Sequence, residues 1–132
     1  MIDNDLLEEF KRSLKERHVD LSFFSGAWSP EFVSLIAHKM DEPVKTTTII
    51  GAETIYSPSA LKAFATTLMA MINSRDAEST TAIIAAKKVY FGVGGSMQDF
   101  CDQVVALGGI VEQLREEEDG VRRAVIEVRR AS

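Results

Sequence analysis

Apolar residues first fall at helical spacing at Leu7, Phe10 and Leu14, behind the capping-box word Asp5-Leu6-Leu7-Glu8. They predict a short amphipathic helix ending near Arg17. Leu21-Ser22-Phe23-Phe24-Ser25-Gly26 follows as an apolar stretch closed by a turn. Ser29 and Pro30 read as the N-cap and first residue of a second helix, with Phe32, Leu35, Ile36 and Met40 on its inward stripe and Pro43 marking its end. From Thr46 to Ala52 the run is β-branched, short and without helical period, which predicts a buried strand.

Ser57-Pro58 then opens a third helix. Leu61, Phe64, Ala65, Leu68 and Ile72 form its apolar stripe, and the polar Asn73-Ser74-Arg75-Asp76 ends it. Thr80 to Ala86 repeats the buried-strand signature, so strand, capped helix and strand make a βαβ unit with parallel strands and a right-handed crossover. Ser96 caps a fourth helix with Met97, Phe100, Cys101, Val104 and Val105 inward, and Gly108-Gly109 supplies a left-handed stop. Ile110–Arg115 and Val121–Arg129 read as an antiparallel hairpin joined by an acidic loop that ends in the turn signal Asp119-Gly120. No internal repeat or flexible linker interrupts this order.

Composition narrows the function. A chain of 132 residues with 45% hydrophobic content can bury the core of one compact domain. Its formal charge of -5 and pI near 5.0 argue against nucleic acid as a partner, although Arg122, Arg123, Arg129 and Arg130 form a local basic exception. No apolar run reaches the roughly 18 residues of a membrane span, and acidic residues soon follow Met1, so a soluble cytoplasmic protein, or a nuclear one, is expected. The single Cys101 excludes an internal disulfide and a multi-cysteine zinc site, and His18 and His38 stand apart from any clustered ligand, so no metal is expected.

Three sequence words then carry a resemblance: Phe23-Phe24-Ser25-Gly26-Ala27-Trp28-Ser29, Ala52-Glu53-Thr54-Ile55-Tyr56, and Ala85-Ala86-Lys87-Lys88-Val89-Tyr90-Phe91-Gly92-Val93-Gly94-Gly95. In this order they resemble segments of the histidine-protein methyltransferases, class I enzymes that use S-adenosylmethionine, and Gly120-Val121-Arg122-Arg123 with Ile126-Glu127 continues the likeness. The resemblance runs from about Phe23 to Arg130 and implies the carboxyl-terminal half of a Rossmann-like α/β methyltransferase fold. Two parallel strands and an antiparallel hairpin would stand in the family order 4-5-7-6, with helices on the faces. Residues 1–22 would be a helical extension and 23–132 the family-like part of a single domain.

The resemblance also implies where chemistry would lie. Glu53 and Tyr56 are candidate catalytic residues just beyond the first strand, with Glu53 orienting a target imidazole and sharing its proton. The alternative is a carboxylate capping the helix at Ser57-Pro58. Trp28, Tyr90, Phe91, Gly94 and Gly95 are candidate substrate-binding residues; for Trp28 the alternative is packing, and for the glycines a tight strand-to-helix turn. The Gly-x-Gly-Gly spacing fits neither the dinucleotide nor the P-loop fingerprint.

The glycine-rich turn that would hold the methionine part of S-adenosylmethionine, and the acidic residue for its ribose, belong to family strands not found before Phe23. An incomplete donor site is therefore expected, whether the sequence is a natural short protein or part of a longer reading frame. The competing reading is a non-catalytic interaction module. In it the first strand, left as a sheet edge, pairs with a partner protein or a second copy in a homodimer. Glu116-Glu117-Glu118-Asp119 reads as a solvated loop.

Overall fold

The computed structural model describes residues 3–39, 46–74, 79–92 and 94–131. Met40, Pro43, Arg75, Asp76 and Val93, which entered the expectations above, lie outside the described residues.

Helix α1 spans Asn4–Glu16, and the side chain of Asp3, not Asp5, caps it by accepting from the Asp5 backbone N–H at 2.8 Å. Asp3 is extended while Asp5 is already helical, so Asp5 contributes its charge to the positive first turn instead of serving as the cap. Of the apolar stripe of α1, Leu7 and Leu14 are half-buried and Phe10 is exposed, and the helix has no buried residue.

Helix α2, Pro30–Lys39, starts where expected, with Ser29 Oγ accepting from Phe32 N–H at 3.3 Å. Its inner seam is Phe32, Val33 and Ile36, all half-buried, whereas Leu35, expected inward, is exposed. The reason is geometric. A helix that leans on its neighbours along one narrow seam covers adjacent rows and turns Leu35 to solvent.

Strands β1, Thr47–Ala52, and β2, Thr80–Lys87, pair in parallel from Thr47↔Thr80 to Ala52↔Ala85. Helix α3, Pro58–Asn73, crosses between them, capped by Ser57 Oγ, which accepts from Ala60 N–H at 3.3 Å. All five residues of its expected stripe are buried. Helix α4, Met97–Ala106, is capped by Ser96 Oγ from Asp99 N–H at 3.1 Å. Met97, Phe100 and Val104 are buried and Cys101 is half-buried, but Val105, expected inward, is 59% exposed. One residue beyond Val104 the helix has turned by about 100°, which carries Val105 off the buried face.

Strands β3, Gly109–Glu117, and β4, Arg123–Arg130, close the chain as an antiparallel hairpin longer than expected at most ends. β3 takes in Glu116 and Glu117 from the stretch read as a loop. Gly108 and Gly120 both have positive φ, as the two turns require. The sheet order β1-β2-β4-β3 is the order expected, with β1 and β3 at the edges.

Burial alternates along β2 and β4, so the sheet presents one core face. Ala82, Ile84, Ala86, Ala124, Ile126 and Val128 from this face join α3 and α4 in a single apolar cluster around Phe64 and Phe100, whose rings stack with centroids 5.8 Å apart. On the opposite face Thr48, Ile50 and Ala52 of β1 are exposed.

Candidate functional site

At the carboxyl end of β1 the chain turns at Glu53, which adopts φ 57, a left-handed conformation that disfavours a side chain. Its backbone N–H donates to Ala85 O at 3.0 Å, carrying the β1–β2 pairing one residue past the strand. The carboxylate is held from two sides. The Tyr90 hydroxyl donates to Oε2, and Arg123 Nη1 forms an ion pair with Oε1.

Each partner is itself placed by the sheet. Arg123 is the first residue of β4 and lies opposite Lys87, the last residue of β2. Tyr90 is 8% exposed, and its hydroxyl accepts from Lys87 N–H at 3.2 Å while Lys87 Nζ lies 5.6 Å from the ring centroid. Burial, and next the hydrogen bond to Glu53, push the Tyr90 phenol up to about 12. It therefore stays protonated and donates at neutral pH. A carboxylate offers about four acceptor positions, and the two protein contacts leave acceptor capacity on a side chain that is 40% exposed.

The glycine loop locks onto this turn. Tyr90 N–H donates to Gly95 O at 2.8 Å and Gly94 N–H to Tyr90 O at 3.0 Å, while Gly94 takes φ 84. A Cβ on Gly95 would lie 2.1 Å from Ile55 O and 2.6 Å from Tyr56 C, so only glycine lets the loop backbone rest against the Ile55-Tyr56 segment. The fit is one of backbone to backbone.

The candidates thus separate. Glu53, Tyr90 and the Gly94-Gly95 loop are brought together, and Tyr56 shares the turn but is 53% exposed. Trp28 lies elsewhere, edge-on to Phe32 at 5.4 Å and to Phe64 at 5.1 Å, and it lines a groove along β1. Phe91 is 92% exposed and borders a different cleft with Lys87, Lys88 and Val121. Ser57, not Glu53, caps α3. The acidic segment is exposed yet engaged: Lys88 pairs with Glu116 and, at 3.3 Å, with Glu118.

Sequence reasoning missed Arg123 as the partner of Glu53, because nothing local announces a contact spanning 70 residues. Among the described residues no group of three or more His, Cys, Asp or Glu side chains is placed to hold a metal ion. No described helix is long and apolar enough to cross a membrane.

No family model matches the chain. Histidine protein methyltransferase 1 of Saccharomyces cerevisiae is 32% identical over 100 residues, which is 76% of this chain and 26% of that protein. Its namesake from Schizosaccharomyces pombe is 32% identical over 99 residues, 75% of this chain and 27% of that protein. The chain therefore spans about a quarter of the length of the curated relatives it matches. Among solved structures, the PH0226 protein from Pyrococcus horikoshii OT3 superposes with a TM-score of 0.51 over 98% of this chain and 69% of that one, at 12% identity, a likeness of fold. With its motifs, its sheet order and these relatives together, the chain is a methyltransferase-like protein with a Rossmann-like α/β sheet, related to the histidine protein methyltransferases over a quarter of their length.

Proposed function

We propose that this chain supplies the substrate side of a protein-histidine methyltransferase site that uses S-adenosylmethionine. The observation that carries the reading is the Glu53 carboxylate, fixed at the carboxyl end of a parallel strand by Tyr90 and Arg123 and still open to solvent. For an imidazole nitrogen to take a methyl group it must present a lone pair, so the other ring nitrogen carries the proton. Glu53 accepts that N–H and orients the ring, and Tyr56 at the same turn borders it. Tyr90, Gly94 and Gly95 shape the support beneath, and Trp28 and Phe91 bind more distant parts of a protein substrate.

The donor is a different matter. Three grooves, along β1, between α2 and α3, and beside the β3–β4 hairpin, are lined among the described residues without Glu53 or Tyr56, which supports a donor site that the residues around Glu53 do not complete by themselves. The wall that grips the donor comes, in this reading, from sequence beyond these 132 residues, in the same chain or another. Alone, the chain is inactive. Calorimetry of S-adenosylmethionine against the purified chain tests this: no heat of binding at micromolar donor is expected, and micromolar affinity would overturn it. The formal charge of -5 supports a protein rather than a nucleic acid as substrate, and the setting proposed is the cytoplasm.

A second reading rests on the edge position of β1. In it the chain is an interaction module that receives a strand from a partner protein, a second copy included, along β1.

A further inference from the structure

Arg123 stands on an inner strand of the sheet. β4 lies between β2 and β3, and Arg123 is opposite Lys87 in one pairing and Glu117 in the other. Lys88 N–H donates to Arg122 O at 3.0 Å, so the backbone beside Arg123 is also held just past the end of β2. From there the guanidinium reaches past the end of β2 to Glu53, which follows β1 on the other side. Both side chains of the pair are partly open to solvent.

The charges around this junction fall into two groups. Lys88 pairs with Glu116 and, at 3.3 Å, with Glu118, which Arg122 reaches at 3.5 Å, and Arg115 meets Glu117 at 3.2 Å. These three cations and three carboxylates offset one another. What remains is Glu53, with Arg123 in contact, and Lys87, whose ammonium lies 5.6 Å from the centroid of the Tyr90 ring and meets no carboxylate among the described residues. Tyr90 adds a neutral phenol, and Tyr56 a second hydroxyl at the same turn. The Glu53 carboxylate therefore sits in a surrounding of net positive charge.

That balance bears on which form of a histidine ring the carboxylate takes. A carboxylate by itself favours a protonated imidazole beside it. An imidazolium carries an N–H on both nitrogens and has no lone pair left to accept a methyl group. With a guanidinium on the same carboxylate, the extra positive charge of an imidazolium is opposed by Arg123 and Lys87, while a neutral ring keeps its N–H···O bond to Glu53. We propose that Arg123 is a positioning residue that makes Glu53 select the neutral, methyl-accepting form of the target histidine. The inference deepens the protein-histidine reading above and rests on it. Arginine suits the task because it keeps its charge at every pH at which a histidine titrates.

Binding of N-acetylhistidine methylamide to the full chain, followed by its ring proton shifts at about pH 5.5 and about pH 8, on either side of the ordinary histidine value near 6.5, tests the proposal. The expected result is binding about tenfold weaker at the acid pH, where about one ring in ten is neutral. Arg123→Met is expected to abolish that preference and bind at least as tightly at the acid pH. Arg123→Lys, which returns the charge, is expected to restore it. Glu53→Gln is expected to remove binding at both pH values, and it carries the same His18 and His38, so their own titration cancels in the comparison. No binding to the native chain, or binding that persists in Glu53→Gln, overturns the Glu53 reading and the inference with it. A native chain that binds through Glu53 without the tenfold preference overturns the inference alone. So does Arg123→Met that keeps the preference or loses binding alike at both pH values, and so does Arg123→Lys that behaves as Arg123→Met.

Discussion

The Tyr90 hydroxyl donates to the carboxylate of Glu53 across 37 residues of sequence, joining the glycine loop to the turn that follows β1. Arg123 grips the other carboxylate oxygen from the start of β4. Three segments therefore converge on one side chain whose backbone is held at positive φ.

Alkaline titration reports this junction. The Tyr90 phenol, pushed up to about 12 from 10.0, binds its proton more tightly in the folded state, so its contribution is complete below pH 10 and is lost as pH rises through 12. Two units correspond to at most about 3 kcal/mol. With Tyr56→Phe removing the other tyrosine, Glu53→Gln should lower the midpoint of phenolate absorbance, because both the accepted hydrogen bond and the adjacent negative charge hold the proton on Tyr90. An unchanged midpoint would mean that burial alone sets the value.

Gly95→Ala forces a methyl group against Ile55 O. Such overpacking against backbone, which cannot rotate away, should cost about 3 kcal/mol in urea unfolding. The displaced loop should also release Tyr90 and bring its titration back toward the ordinary range. A loss below about 0.5 kcal/mol, within the ordinary scatter of surface substitutions, would show that the loop does not rest on Ile55-Tyr56.

At position 53 the backbone and the side chain can be separated. Glu53→Gly and Glu53→Ala both remove the carboxylate, but only glycine suits φ 57. The glycine variant should be the more stable of the two by about 1 kcal/mol, measured by denaturant midpoint at equal slope. Equal stabilities would mean that the turn relaxes once Tyr90 and Arg123 let go.

Much of the fold was legible because it rests on short-range rules. Ser29, Ser57 and Ser96 cap their helices as their side chains and neighbours dictate, and Leu61, Phe64, Ala65, Leu68 and Ile72 recur at a period that only a helix buries on one face. The parallel pairing of β1 with β2 follows from the helix between them, and the hairpin follows from its turn. The limits of periodicity show at Leu35 and Val105. Each stands beside a buried row, and how wide a strip the neighbouring elements cover cannot be read from one helix alone.

By itself the sequence determined the order and kind of the elements, the apolar stripe of α3 and the words that mark the methyltransferase relationship, because each depends on residues within a few positions of one another. Tertiary structure alone decided that Arg123 and Tyr90 share the Glu53 carboxylate, that Trp28 belongs to the groove along β1 instead, and that Gly95 is fixed by a carbonyl forty residues earlier in the chain. Those relationships arise where separate strands end side by side. Sheet register sets that coincidence, and no local pattern of polar and apolar residues encodes it.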